Sequence, residues 1–410
     1  MKPFVLLHRW RSHLATGLAL LLGAGVLPAF AQHGGHADTA APRAKKAPPP
    51  ALASGVAFGP DGRLWWTGLD GEGRLFLRAS ADEGRSWSEP QILPTGGERI
   101  SADGENRPKI AFSPTAAQTV VISYTQPLAK PYTGAIRLLR STDGGQSFAA
   151  PITVHQDRQV ITHRFESIAF DAQGRLHAVW IDKRDLETAL KAGRKDYRGA
   201  AIYRNVSSDG GATFGPDVKV ADHSCECCRI ALAPTPDGGM AALWRHVFAP
   251  NQRDHAFARL DVSAAAEPVR ASLDRWAIDA CPHHGPGLAP ATDGGWHAVW
   301  FGQRDGAMAV RYGRLTADGR PAGVARALPD EAAEHADVAS AGERVVIVWR
   351  SFDGRQTRLR AWTSEDGGQR FTLQELGATA LPNDHPRLLQ RGGRFLVFWR
   401  SSEGARVEAL

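Results

Sequence analysis

The sequence predicts an all-β fold, a propeller of four-stranded blades, seven by repeat count with six as the alternative. Three observations predict it. The 410 residues include Gly 43, Pro 26 and Trp 12, a stock of turn formers and large apolar anchors that suits strands and tight turns better than a helical bundle. An aromatic closes an apolar strand at Trp66, Tyr124, Trp180, Trp244, Trp300, Trp349 and Trp399, in steps of 58, 56, 64, 56, 49 and 50 residues. Glycine-containing turns (Asp61-Gly62, Gln173-Gly174, Asp237-Gly238, Asp293-Gly294 and Gly392-Gly393) precede five of these strands. Four strands repeated every ~40–50 residues are the signature of a propeller.

The elements follow in chain order. Lys2, Arg9 and Arg11 precede an apolar stretch from Leu14 to Phe30 that ends in Ala29-Phe30-Ala31. A basic start, an apolar middle and a small-x-small end predict an export signal over 1–31, cut after Ala31, and a periplasmic or secreted protein. Trp10 separates the two arginines, so the twin-arginine signal is not met. No later stretch is apolar for long enough to cross a membrane, so no span is expected after cleavage. Residues 32–50 run from Gln-His-Gly-Gly-His to Pro48-Pro49-Pro50, a tail that cannot bury a core. Its His33 and His36 read as a loose metal-catching arm.

Residues 51–410 are then a single propeller domain, expected to be a monomer. Leu176-His177-Ala178-Val179-Trp180 and Val345-Val346-Ile347-Val348-Trp349 are rich in strand formers. The seventh unit stops at Leu410 and looks to the segment before Ala51 for its outer strand. Lys+Arg 49 against Asp+Glu 43 leaves a net charge of +6, with no run of basic residues interleaved with aromatics. Nucleic acid is therefore not expected as a partner.

A second motif carries a resemblance. Ser80/Asp82/Gly84/Trp87, Ser141/Asp143/Gly145/Phe148, Ser207/Asp209/Gly211/Phe214 and Ser364/Asp366/Gly368/Phe371 share the spacing Ser-x-Asp-x-Gly-x-x-aromatic, and Thr316-Ala317-Asp318-Gly319 reads as a decayed copy. These resemble the Asp-boxes (BNR repeats) of the sialidase superfamily, which staple the third strand of a blade to the fourth. The resemblance implies a propeller and, as one reading, a sialidase-like hydrolase or a glycan-binding propeller. The catalytic set does not carry over. The family's early Arg-Ile-Pro has no match in Ser54-Gly55-Val56-Ala57-Phe58. None of the five tyrosines stands in a late Tyr-Ser context, where the family's nucleophile lies. Arg107, Arg164, Arg229 and Arg387 open first strands and form a candidate rim for an anionic ligand.

The segments that lead into first strands converge at one end of a propeller axis. Here they read Glu105-Asn106-Arg107, His163-Arg164-Phe165-Glu166, Cys225-Glu226-Cys227-Cys228-Arg229, Cys281-Pro282-His283-His284, His335-Ala336-Asp337 and Asp384-His385. All four cysteines are among them. Two disulfides are the default for an exported chain, but each complete pairing would include a strained local bridge among Cys225, Cys227 and Cys228; a single Cys227–Cys281 or Cys228–Cys281 link, or a vicinal disulfide, is the other oxidised arrangement. The alternative is a metal site of Cys225, Cys227, Cys228, Cys281, His283 and His284, with His163, His335 and His385 as further candidates. Thiolate and imidazole donors suit copper, with zinc as runner-up. The expected role is metal capture or hand-over to a periplasmic or membrane metal-handling partner. Zinc with an open position would support hydrolysis, with Glu226, Glu166 or Asp337 as base.

Overall fold

In the computed structural model, residues 51–260 and 268–410 are described. The predicted export signal and the His33/His36 tail lie outside them. Seven antiparallel sheets follow one another along the chain, with the first strands Gly55–Phe58, Lys109–Phe112, His163–Phe170, Ala231–Pro234, Gly287–Pro290, Ala333–Ala341 and Arg387–Arg391. The first six sheets have four strands each. The seventh has three: Arg387–Arg391, Arg394–Ser401 and Gly404–Ala409. A single ladder bridge, Ser224 to His246, joins the sheets of blades three and four. The one α-helix among the described residues, Arg184–Lys191, lies between the second and third strands of blade three. It has Asp185 and Glu187 in its first turn and Lys191 in its last, as its dipole favours.

Each of the seven aromatics that mark the repeat is buried within a second strand, which runs on past it rather than closing there. Where it carries an indole, its N–H finds a partner: Trp66 on Ser54, Trp180 on Asp182, Trp300 on Asp274, Trp349 on Asp330 and Trp399 on the Asp384 carbonyl. A buried indole needs such an acceptor. Trp244 is the exception, with an unpartnered Nε1.

The four Asp-boxes repeat one hydrogen-bond pattern. The serine hydroxyl donates to the aspartate and accepts the glycine N–H, as in Ser207 to Asp209 at 2.7 Å and Gly211 N to Ser207 at 2.7 Å. The box glycines have φ between +82° and +88°. At Gly211 a Cβ would also stand 3.1 Å from Val121 and Leu138 of the preceding blade. Glycine is thus required both by the turn and by blade-to-blade packing.

Blade seven closes on blade one through side chains. Ser54 N donates to Asp384 at 3.0 Å, and Arg400 reaches the carbonyls of Leu52 and Leu69. No strand from the described residues before Gly55 joins blade seven. The expected contribution from before Ala51 falls outside the described residues. Among the described residues no helix is long and apolar enough to cross a membrane.

Candidate functional site

The segments that lead into the first strands surround a cavity of about 500 Å³. Asp103, Glu105, Arg164, Lys183, Glu226, Cys227, Cys281, His283, His335 and His385 supply its polar groups, and Tyr132 and Phe165 its aromatic faces. Tyr132 is 80 % exposed. Phe165, His283 and His335 all have φ above +50°, uncommon for residues with side chains. Phe165 and His335 also sit where the first strands of blades three and six slip register against the second. A bulge re-aims a side chain, and both of these point into the cavity wall.

One wall is a column of stacked rings. Phe301 lies on His284 at 4.3 Å between centroids, His284 on His335 at 4.2 Å and His335 on His385 at 3.3 Å, with interplanar angles of 20°, 5° and 11°. Glu105 stands beside the column. Its Oε1 is 3.2 Å from His335 Nδ1, 3.8 Å from His385 Nδ1 and accepts Gly285 N at 3.3 Å. Burial alone would raise the Glu105 carboxyl, but the charge of Arg229 and the rings of His335 and His385 outweigh it and hold it well below the usual carboxylate range. Burial pushes the His284 imidazole down to about 3 and His385 well below its ordinary value. Arg107 donates to His385 Nδ1 at 3.1 Å, so His385 is neutral and carries its proton on Nε2.

The thiol cluster meets the same cavity through Cys227. Cys225, Cys227 and Cys228 form a triangle with Sγ separations of 3.9, 4.0 and 3.9 Å. All three are buried, and all four cysteines are free thiols, so neither the paired nor the single-bridge disulfide arrangement is present. Hydrogen bonds from Cys227, Cys228 and Cys281 draw the Cys225 thiol well down, while the contacts with Cys225 push Cys227 and Cys228 up. Arg253 Nη1 donates to Cys225 Sγ at 3.4 Å. Cys281 is partly exposed and packs against the cluster from the next blade.

The structure divides the predicted set. The three neighbouring cysteines come together, with Cys281 beside them, whereas His284 and His335 group with Glu334 and with the ring column. His283 lines the cavity. His163 is fully buried, stacked on His155 at 3.9 Å, bonded to the Gly134 carbonyl and 3.3 Å from Asp157. It belongs to the packing of blades two and three. The four arginines do not form one rim. Arg164 faces the cavity, while Arg107, Arg229 and Arg387 line a separate channel of about 210 Å³ along the first strands. There Arg107 pairs bidentately with Asp384 at 2.8 and 3.0 Å, and Arg229 binds the Pro286 and Ala336 carbonyls. Glu166 is buried against Ser123, Thr125 and Lys109, and Glu226 pairs with Lys183 at 2.5 Å. Asp337 lies in the channel near Arg387.

Several groups here went unforeseen. Arg245 and Arg253 are buried behind the cysteines, on the second and third strands of blade four. The signal was a charge inside the apolar run Ala241-Ala242-Leu243-Trp244-Arg245. Tyr132 and Lys183 lie in connections between strands, where no periodicity marks them.

No family model and no curated protein matches this chain. Solved structures do resemble it. The polysaccharide lyase Uly1 superposes with a TM-score of 0.55 at 10 % identity, covering 88 % of this chain and 90 % of the lyase. A polysaccharide lyase of a new family, an ulvan lyase, gives 0.54 at 11 % identity, covering 88 % and 94 %. The α-L-arabinofuranosidase of Fusarium graminearum, solved with arabinobiose, gives 0.50 at 13 % identity, covering 80 % and 92 %. At such identities the likeness concerns the fold, a propeller of the type that the Asp-boxes imply.

Proposed function

We propose that this propeller is glycan-directed and that the cavity at the end of its axis receives a sugar unit. The observation that carries this is the cavity itself. Its volume of about 500 Å³ suits a small ligand, and it combines an outstanding aromatic ring, Tyr132, with convergent hydrogen-bonding groups on Asp103, Arg164, Lys183 and Glu226. A sugar presents an apolar C–H face and a rim of hydroxyls, which match an aromatic platform and a polar wall. Arg164, 3.7 Å from Asp103, is the cation best placed to meet a carboxylated sugar. The similarity in fold to two polysaccharide lyases and an arabinofuranosidase supports the same reading.

If the cavity turns over its ligand, the Glu105–His335 pair is the proton-transfer group. Glu105, held as a carboxylate, orients the ring through Nδ1. The test is a panel of uronides, sialosides and arabinosides, scored for binding by calorimetry and for cleavage by new reducing ends and by the ultraviolet absorbance of an unsaturated uronide. Binding of at least one class, weakened in Tyr132→Ala and Arg164→Ala, is expected. Neither binding nor cleavage across the panel would overturn the reading.

A further inference from the structure

Among the described residues, two buried arginines behind the thiol cluster form no ion pair with a carboxylate. Arg245 is 1 % exposed and Arg253 9 %. Among the described residues their guanidinium groups meet backbone carbonyls (Arg245 those of Arg253, His284 and Phe301, Arg253 that of Ile278), and Arg253 also meets the Cys225 sulfur. Arg245 also acts electrostatically on Cys225, and its own Nε is buried without an acceptor. Guanidinium stays charged in a protein interior, and a buried charge requires an opposite one. Arg245 also lies 5.5 Å over the Trp276 ring, and the anion-forming group that both cations act on is Cys225 of the thiol cluster.

The triangle of sulfurs has the dimensions of a coordination site. Its centre lies about 2.3 Å from each Sγ, given edges of 3.9, 4.0 and 3.9 Å, and about 2.3 Å is the length of a metal–thiolate bond. We propose that Cys225, Cys227 and Cys228 hold one Cu(I) ion as a planar, three-coordinate thiolate. Three S–H protons leave to solvent, three S–Cu bonds form, and copper enters and stays as Cu(I), so no electron is transferred. Three thiolates around a single positive charge leave a net charge of −2, which the two guanidinium groups balance. Zinc in the same triangle would leave −1 and call for a fourth donor. Among the described residues, the three sulfurs group as a metal-holding set by themselves, joined by neither an imidazole nor Cys281. Soft thiolate donors and low coordination number favour copper.

The geometry also supplies a route. Cys227 and Cys281 line the cavity, whereas Cys225 and Cys228 lie behind them. Cys281 is therefore placed to take the ion first and pass it inward by thiolate exchange. This proposal does not depend on a sugar in the cavity.

The test is anaerobic titration of the reduced, untagged protein with Cu(I) against a chromogenic chelator, combined with X-ray absorption of the loaded wild type. One Cu(I) per chain, bound by three sulfurs at about 2.3 Å and no nitrogen, is the expected result. Cys228→Ser should lose the site, while Cys281→Ser should keep the stoichiometry and load more slowly from a Cu(I)–glutathione donor. Arg253→Met should weaken Cu(I) binding without changing the sulfur count. Substoichiometric uptake by the folded wild type, a nitrogen ligand in its spectrum, or retention of Zn(II) in preference to Cu(I) would overturn the proposal. If Cys228→Ser fails to fold, the wild-type spectrum still decides.

Discussion

The imidazoles of His335 and His385 stack 3.3 Å apart between centroids and 11° from parallel, although the residues belong to the sixth and seventh blades. Glu105, from the segment before the second blade, lies within 3.8 Å of both rings. The contact joins three separate parts of the chain at the propeller axis. It also sets a rule for charge. Burial, the His335 ring and the Arg107 and Arg350 guanidinium groups disfavour a proton on His385, with Glu105 opposing them.

Buried imidazoles should make the fold acid-sensitive. Burial holds His155 and His284 down to about 3 and His246 and His297 down to about 4. Their folded values lie below the unfolded value, near 6.5. Each contribution is therefore complete above about pH 6.5 and is lost as the pH falls toward the folded value, because the unfolded chain binds the proton first. Over that window each such imidazole should cost roughly 1 kcal/mol per pH unit. Thermal melts should show Tm falling steadily from about pH 6.5 to about pH 4, with a shallower slope in His246→Gln. A Tm that is flat between about pH 7 and about pH 5 would refute this.

The Arg107–Asp384 pair ties blade two to blade seven. Both partners are 4 % exposed, and Asp384 also accepts Ser54 N. Asp384→Asn should destabilise the protein by about 3–5 kcal/mol, because it leaves Arg107 buried without its counter-charge. The double variant Arg107→Met/Asp384→Leu should be less damaging than the single one. Urea unfolding of the three proteins measures both effects, and equal losses for the single and double variants would contradict the account.

At an Asp-box, the serine bears more of the turn than its size suggests. Ser207 is 1 % exposed, donates to Asp209 and accepts from Gly211 N. Ser207→Ala removes both bonds and strands a buried N–H, a loss of roughly 1–3 kcal/mol. Denaturant midpoints provide the measurement, and a change within ~0.5 kcal/mol would place the turn's stability elsewhere.

Ligand binding and stability should separate at the cavity mouth. Tyr132 is largely exposed, so Tyr132→Ala should leave Tm nearly unchanged while weakening sugar binding by about tenfold, or ~1.4 kcal/mol. Parallel calorimetry and melting curves test this. A variant that loses Tm but binds as well as wild type would make Tyr132 a structural residue.

Much of this protein could be read from its residues alone. Seven closing aromatics and four Asp-boxes identify the propeller, because both act through contacts local to one blade or to its neighbour. The crowding of Cys225, Cys227 and Cys228 was equally visible, since adjacent residues cannot separate far. The assignment of partners was not visible. Sequence places His284 three residues from Cys281, yet the structure stacks it on Phe301 and His335. His163 resembles the other lead-in histidines in position but is buried between Gly134, His155 and Asp157. Arg107, Arg229 and Arg387 drop into the channel and leave Arg164 in the cavity. Local sequence determined the blades and the thiol cluster. Only the closing of seven blades around one axis decided which charges and rings meet, because those contacts join residues up to 348 positions apart.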